Sequence, residues 1–141
     1  MSRDAVFKKF DKELFNENDP AKYLAIEYFK KSGKNAIVNP KRYGIDLIVD
    51  DEFYCEVEVK RRWSGENFIY GDLQIPFRKS KFTTADKPVI FMVMNLERTH
   101  AFLVKGEDVM NSKVDEVSNK YARQGEYFYK VSLDKLTKVK L

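Results

Sequence analysis

Apolar side chains in the N-terminal third of the chain recur at helical spacing. They predict an amphipathic helix over about residues 3–15. A second helix is predicted over about residues 20–32, because Asp19 can cap its N-terminus, Pro20 suits its first turn and Gly33 can end it.

Short apolar runs of the length of strands follow these helices. They predict strands at residues 36–38, 44–49, 53–60, 88–95 and 100–104. Further along, the pattern indicates a short basic helix starting at Pro76, a helix near residues 114–121 and a strand at residues 127–131. This order predicts an α/β fold in one domain over residues 1–141, with a central mixed β-sheet flanked by helices.

The segment 44–60 shows the alternation of a β-hairpin with two different faces. The odd positions are apolar except at the turn: Ile45, Leu47, Val49, Asp51, Phe53, Cys55, Val57 and Val59. The even positions bring acids and a lysine to the other face: Gly44, Asp46, Ile48, Tyr54, Glu56, Glu58 and Lys60. A three-residue loop at 50–52 places Asp46 opposite Glu56, whereas an even-numbered loop would place its carboxylate on the apolar face.

The composition is that of an ordinary globular protein, with 43% hydrophobic and 34% charged residues in 141. Because 26 basic residues are offset by 22 acidic ones, the net charge of +4 permits a polyanionic partner without establishing one. Cys55 is the single cysteine, which excludes an intrachain disulfide and favours a cytoplasmic location. The longest apolar run, Val89–Met94, is too short to cross a membrane, and no export signal is visible.

The acids of the hairpin suggest metal chemistry. Asp46 and Glu58 would repel one another without a cation, and carboxylate oxygens favour Mg²⁺, for which Mn²⁺ can substitute. Bound Mg²⁺ activates water, and Lys60 is placed to stabilise the transition state. The alternative is a solvated face with weak ion pairs, in which Glu56 is a charge partner rather than a ligand.

The spacing of these residues resembles a known family. Asp46, eleven intervening residues and then Glu58-Val59-Lys60 resemble the signature of the PD-(D/E)XK nuclease superfamily. The proline of the signature is replaced by Ile45, and the sequence around it, from position 43 to 47, looks like that of Holliday-junction resolvases. In that superfamily the aspartate lies on one strand of a β-hairpin and the E-x-K element on the next. The resemblance implies a restriction-endonuclease-like core and a Mg²⁺-dependent DNA endonuclease of a structure-selective or repair type, with the Val59 carbonyl as a further metal ligand. It also implies 5′-phosphate products and a homodimer.

Two further polar residues correspond to positions used in some members of that superfamily. Glu27 lies on the second predicted helix, where relatives place a metal-binding or water-positioning glutamate, although a surface pair with Lys30 or Lys31 is equally consistent with its position. Gln74 resembles a catalytic glutamine that follows the motif in some relatives, or is an ordinary residue at a strand end. His100 lies in an apolar strand and is expected to be structural.

Basic groups bracket the acids in sequence, as contacts to a DNA backbone would. The candidate nucleic-acid contacts are Lys41, Arg42, Arg61, Arg62, Trp63, Arg78, Lys79 and Lys81. Tryptophan can stack on bases but is more often a packing residue. Two alternatives to the enzyme stay open, a catalytically silent nuclease-fold module that binds DNA and an interaction protein with a solvated acidic face.

Overall fold

The computed structural model describes residues 20–41, 44–119 and 122–141. The predicted N-terminal helix over residues 3–15 lies outside them, as do Asp19 and Arg42. Within the described residues, no helix combines the length and apolar character needed to span a membrane.

The described elements alternate between helices and strands. The strands are β1 (Ala36–Val38), β2 (Leu47–Val49), β3 (Phe53–Val59), β4 (Asp72–Pro76), β5 (Val89–Met94), β6 (His100–Lys105), β7 (Lys113–Asn119), β8 (Ala122–Ser132) and β9 (Thr137–Lys140). The helices are α1 (Ala21–Lys31), α2 (Gly106–Met110) and two 3-10 helices at Phe77–Thr84 and Leu133–Lys135.

The strands form two sheets. The larger sheet has the order β1-β2-β3-β5-β6-β9, and only β3 and β5 pair in parallel within it. The smaller antiparallel sheet has the order β4-β8-β7. The expected α/β fold with a mixed sheet is therefore confirmed.

One face of the larger sheet is covered by α1. The helix places Ala21, Ala25 and Phe29 on a single stripe, and all three are buried against β2 and β3. Gly33 ends the helix as predicted, since it adopts a φ of +80° and its N–H donates to the Lys30 carbonyl.

The other face is covered by the smaller sheet. Leu73 and Ile75 from β4 share an apolar cluster with Tyr54 of β3 and with Val93 of β5. Both faces of the hairpin are therefore packed, and its polar face is not the fully solvated surface that the alternative interpretation assumed. The flanking layer on this side is a second sheet rather than the predicted helix.

Two local predictions need correction. Residues 114–121 were predicted to be helical, but β7 runs from Lys113 to Asn119 and pairs with β8. Val114 and Val117 have helical spacing, yet hydrogen bonding to a neighbouring strand outweighs such a weak local signal. Strand β2 begins at Leu47 rather than Gly44, and Ile45 packs in the cluster opposite to that of Leu47 because it precedes the strand.

The helix predicted to start at Pro76 is present as the 3-10 helix Phe77–Thr84. This short helix lies over the polar face of the hairpin, since its Lys79 side chain bonds to Glu56 of β3. It therefore supplies one wall of the region in which the acids lie.

Candidate metal and nucleic-acid site

The hairpin has the register that its hydrophobic pattern predicts. Val49 pairs with Phe53, so residues 50–52 form the three-residue loop. Asp50 and Asp51 adopt positive φ angles of 52° and 54°, a conformation that aspartate tolerates better than most residues. This register directs Asp46 towards the C-terminal half of β3.

Asp46 is tied directly to β3 by its side chain. Its Oδ2 accepts a hydrogen bond of 2.9 Å from the Val57 N–H, and its own N–H donates over 3.3 Å to Oε1 of Glu56. Glu58 is the next residue along β3. The two acids of the motif therefore approach the same end of the hairpin.

Lys60 completes this cluster. Its Nζ lies 3.4 Å from Oε1 of Glu58, and its N–H donates to the Met94 carbonyl of β5 over 2.8 Å, which fixes the end of β3. The side chains of Asp46, Glu58 and Lys60 are 18%, 19% and 24% exposed. They are therefore sheltered but still reachable from solvent.

One carboxylate oxygen in the cluster has no partner. Oε2 of Glu58 is buried and accepts no hydrogen bond, although Oε1 faces Lys60. Leaving a buried polar atom unpaired costs about 1–3 kcal/mol, more when it is charged. Such an oxygen is suited to bind a cation or a ligand donor.

A second carboxylate nearby is already engaged. Glu56 is 6% exposed, and its Oε2 lies 2.9 Å from Nζ of the buried Lys79. Burial and the neighbouring carboxylate of Asp46 raise the pKa of Glu56 from 4.5 to about 7, against the opposing effect of Lys79. Negative charge is therefore crowded at this end of the hairpin.

A lysine that the sequence did not single out also reaches the acids. Lys22, in the first turn of α1, places its Nζ 3.1 Å from Oδ1 of Asp46. Each of the three acids thus has one ammonium group beside it: Lys22 at Asp46, Lys79 at Glu56 and Lys60 at Glu58. Nothing in the local sequence around Lys22 signals this contact.

The Val59 backbone also faces this region. Backbone polar groups alternate between the two neighbours of a strand, and the Lys60 N–H bonds to β5 on one side. The Val57 N–H points to the opposite side of the strand, where it donates to Asp46, and the backbone N–H and C=O of Val59 point to that same side. Because the pairing of β2 with β3 ends at Leu47 and Cys55, the Val59 carbonyl points beyond the end of β2.

The candidate donors for a divalent cation are few. No group of three or more His, Cys, Asp or Glu side chains in the described residues is arranged to hold a metal. Mg²⁺ is commonly held by one or two carboxylates while it keeps several water ligands. Among the candidate donors, Oε2 of Glu58 has no partner. Oδ2 of Asp46 accepts from the Val57 N–H and Oδ1 faces Lys22, so a cation bound at Asp46 would have to take the place of the Lys22 ammonium.

Glu27 does not share the contacts that join Asp46, Glu58 and Lys60. Glu27 lies on the side of α1 roughly opposite the buried stripe of Ala21, Ala25 and Phe29, so the helix presents Lys22 rather than Glu27 to Asp46. The direct metal-binding role expected of Glu27 is therefore not favoured by its position.

Gln74 lies on β4 between two core residues, so its side chain emerges on the opposite face of the smaller sheet. That face also carries Phe128, whose ring centroid is 6.0 Å from Nζ of Lys60. Gln74 thus shares a sheet face with Phe128, and the contacts that define the cluster do not include it. His100 lies on β6, where it pairs with Lys140 of β9, and its side chain approaches Glu66 rather than these acids.

Two of the predicted nucleic-acid contacts have buried side chains. Trp63 is 1% exposed and stacks on Phe102 with ring centroids 4.6 Å apart, so its indole is a core residue. Lys79 is 9% exposed and bonded to Glu56, so its ammonium does not face solvent. Both side chains are drawn inward by partners that are distant in sequence.

The remaining described basic candidates are exposed. These are Lys41, Arg61, Arg62, Arg78 and Lys81. Arg61 and Arg62 directly follow Lys60 at the end of β3, and Arg78 lies 3.8 Å from Glu126. The charged groups of these residues are therefore accessible from solvent.

Lys41 and Lys81 line a common groove beside the hairpin. The groove has a volume of about 400 Å³, and its lining includes Ile45 and Tyr54 of the hairpin. Gly44 also lines it, and a side chain there would meet the Asn39 amide at 2.6 Å. Ile45, the residue before Asp46, belongs to this lining, whereas Asp46, Glu58 and Lys60 do not.

Comparison with known proteins does not assign a family. Neither the protein-family models nor the curated proteins contain a match to this chain.

Proposed function

We propose that this protein is a metal-dependent DNA endonuclease with a PD-(D/E)XK-type site at Asp46, Glu58 and Lys60. The observation that carries the proposal is the approach of Asp46 and Glu58 to one end of a hairpin, where Oε2 of Glu58 is buried without a partner. A bound cation would satisfy this oxygen and relieve the repulsion between the carboxylates.

The order of elements supports the same proposal. Helix α1 precedes the antiparallel strands β1, β2 and β3, and β5 then adds in parallel beside β3. The resemblance implied an aspartate on one hairpin strand and the E-x-K element on the next. Asp46 lies immediately before β2, and Glu58 lies in β3, in agreement with that arrangement.

The residues have separable roles in this proposal. Asp46, Glu58 and the Val59 carbonyl would hold Mg²⁺ or Mn²⁺. When bound, the cation supplies an activated water and offsets charge on the leaving oxygen. Lys60 would direct its ammonium group at a phosphate oxygen or at the attacking water, since its side chain is partly exposed beside Glu58.

The substrate would be held by the exposed basic residues. Lys41 and Lys81 line the groove that includes Ile45, and Arg61 and Arg62 follow the end of β3. Contacts of this type bind the phosphate backbone and do not read the base sequence. The proposal therefore favours a structure-selective or repair-type nuclease, as the resolvase-like sequence around Asp46 also implied.

A cleavage assay tests the proposed function. Supercoiled, linear, single-stranded and four-way-junction DNA would be incubated with the protein in Mg²⁺ or in EDTA, and the Lys60→Ala variant would be compared with the wild type. We expect cutting that requires Mg²⁺ and is strongly reduced in the variant. Salt-sensitive DNA binding without any cutting would instead favour the catalytically silent module.

A further inference from the structure

Glu56 and Lys79 form an ion pair that is almost fully enclosed. Glu56 comes from β3 and Lys79 from the 3-10 helix that lies over the hairpin. Their side chains are separated by 2.9 Å and are 8% and 11% exposed. Neither group is positioned to bind a substrate from solvent.

The pair connects directly to Asp46. Oε2 of Glu56 accepts from Lys79, and Oε1 accepts from the Asp46 N–H over 3.3 Å. The side chain of Asp46 then accepts from the Val57 N–H, which closes a loop of contacts back to β3. Both oxygens of Glu56 are thus engaged, which distinguishes it from Glu58.

Asp46 needs such support because it lies just outside a regular strand. The paired residues of β2 begin at Leu47, so the ladder to β3 does not include Asp46. On the other side, its carbonyl accepts from the Asn39 N–H over 3.0 Å. Glu56 accepts a hydrogen bond from the N–H of Asp46. These two backbone hydrogen bonds together restrict the orientation of the Asp46 side chain.

Stability of the fold alone is a poor explanation for this pair. Removing two charges from water costs several kcal/mol for each ion, and apolar replacements of buried ion pairs are often neutral or stabilising. Partners of metal ligands, in contrast, commonly orient the ligands, and their loss weakens metal binding. Glu56 contacts Asp46 in the way expected of a group that orients a metal ligand.

We infer that Glu56 and Lys79 are positioning residues, which hold Asp46 in the orientation needed to bind a divalent cation together with Glu58. This inference rests on the proposed function. Lys79 holds Glu56 in place by its ion pair, and Glu56 holds the Asp46 backbone by accepting its N–H.

Two double variants separate this role from a general structural one. The variant Glu56→Leu with Lys79→Met removes both charges and the acceptor for the Asp46 N–H. The variant Glu56→Gln with Lys79→Met removes the charges but keeps an acceptor at the same place. The control Glu66→Leu with Lys138→Met removes an exposed pair whose charged atoms are 3.7 Å apart.

The readouts are Mn²⁺ affinity by titration calorimetry and urea unfolding of the metal-free proteins. We expect the Leu/Met variant to bind Mn²⁺ about 10–100-fold more weakly than the wild type. Its unfolding midpoint should stay close to that of the wild type, because the removal of two buried charges offsets the loss of the acceptor for the Asp46 N–H. The Gln/Met variant should recover most of the Mn²⁺ affinity, and the control should match the wild type in both measurements.

The other outcomes overturn the inference in distinguishable ways. Unchanged Mn²⁺ affinity in the Leu/Met variant would reject the positioning role while leaving the proposed function intact. Failure of that variant to fold would show that the pair is required for the fold in general and would reject a specific positioning role. An equal loss of Mn²⁺ affinity in the Gln/Met variant would show that the pair does not act through the Asp46 hydrogen bond. A wild-type protein that binds no Mn²⁺ would defeat the proposed function itself, and the inference with it.

Discussion

The substitution Glu58→Gln should have opposite effects on stability in the absence and presence of Mg²⁺. In the metal-free protein, Glu58 carries a buried oxygen without a partner, which costs about 1–3 kcal/mol. Its ion pair with Lys60 has a separation of 3.4 Å and is partly exposed, so it stabilises the folded state by only about 0.2–1 kcal/mol. A neutral amide keeps a polar atom at this position but removes its charge, whose burial without a partner costs more than that of a neutral atom. The substitution should therefore raise the metal-free unfolding free energy by roughly 0–2 kcal/mol.

In excess Mg²⁺ the wild type should instead be more stable than the Glu58→Gln variant. At a concentration 100 times the dissociation constant, a ligand stabilises the folded protein by about 2.7 kcal/mol. The variant would lose most of this gain because Glu58 supplies one of two carboxylates. Each kcal/mol corresponds to about 2–4 °C in midpoint for a domain near this size, so the inversion is measurable.

Thermal unfolding followed by circular dichroism in EDTA and in excess Mg²⁺ would measure both effects. Glu52→Gln is the matched control, because Glu52 is an exposed glutamate in the loop of the same hairpin. Its substitution should change stability by no more than about 0.5 kcal/mol in either condition. The reasoning is refuted if Glu58→Gln destabilises the metal-free protein, or if Mg²⁺ stabilises it as much as the wild type.

Three further predictions concern residues around the cluster. Trp63→Ala should lower the unfolding free energy in urea by about 3–5 kcal/mol, because the indole is buried against Phe102; a loss below 1 kcal/mol would contradict the packing role. The double change Lys41→Gln and Lys81→Gln should reduce the salt dependence of DNA binding, measured by fluorescence anisotropy, by about 0.9 in slope per lost phosphate contact on duplex DNA. An unchanged slope would remove the groove from the binding surface. Glu27→Gln should change the Mn²⁺ affinity measured by calorimetry by no more than about twofold, because Glu27 lies on the far side of α1. A loss of about tenfold or more, which is typical when a group that supports a metal ligand is removed, would restore Glu27 as a candidate for metal binding.

The hairpin was predictable because its two faces differ chemically. Burial of the Asp46 carboxylate among valines would be costly, so the pattern excluded the wrong register, and the pairing of Val49 with Phe53 confirms it. Helix α1 was equally accessible, since Gly33 marks its end. These features depend on interactions between residues near one another in sequence.

The features that could not be predicted depend on distant contacts. The arginines before Trp63 in the sequence do not indicate whether its side chain is buried or exposed. Its burial follows from stacking on Phe102, which is distant in sequence. The basic sequence around Lys79 suggested a solvated surface, whereas the 3-10 helix turns that residue towards Glu56. Lys22 reaches Asp46 only because α1 packs across the end of the hairpin.

The most direct test of the account is the position of a bound cation. Crystals of the protein soaked in Mn²⁺ would be examined by anomalous diffraction. We expect one peak shared by the carboxylates of Asp46 and Glu58 and by the Val59 carbonyl, with Lys60 beside it. A peak held by other residues, or Asp46 and Glu58 side chains that bind no common ion at saturating Mn²⁺, would contradict it.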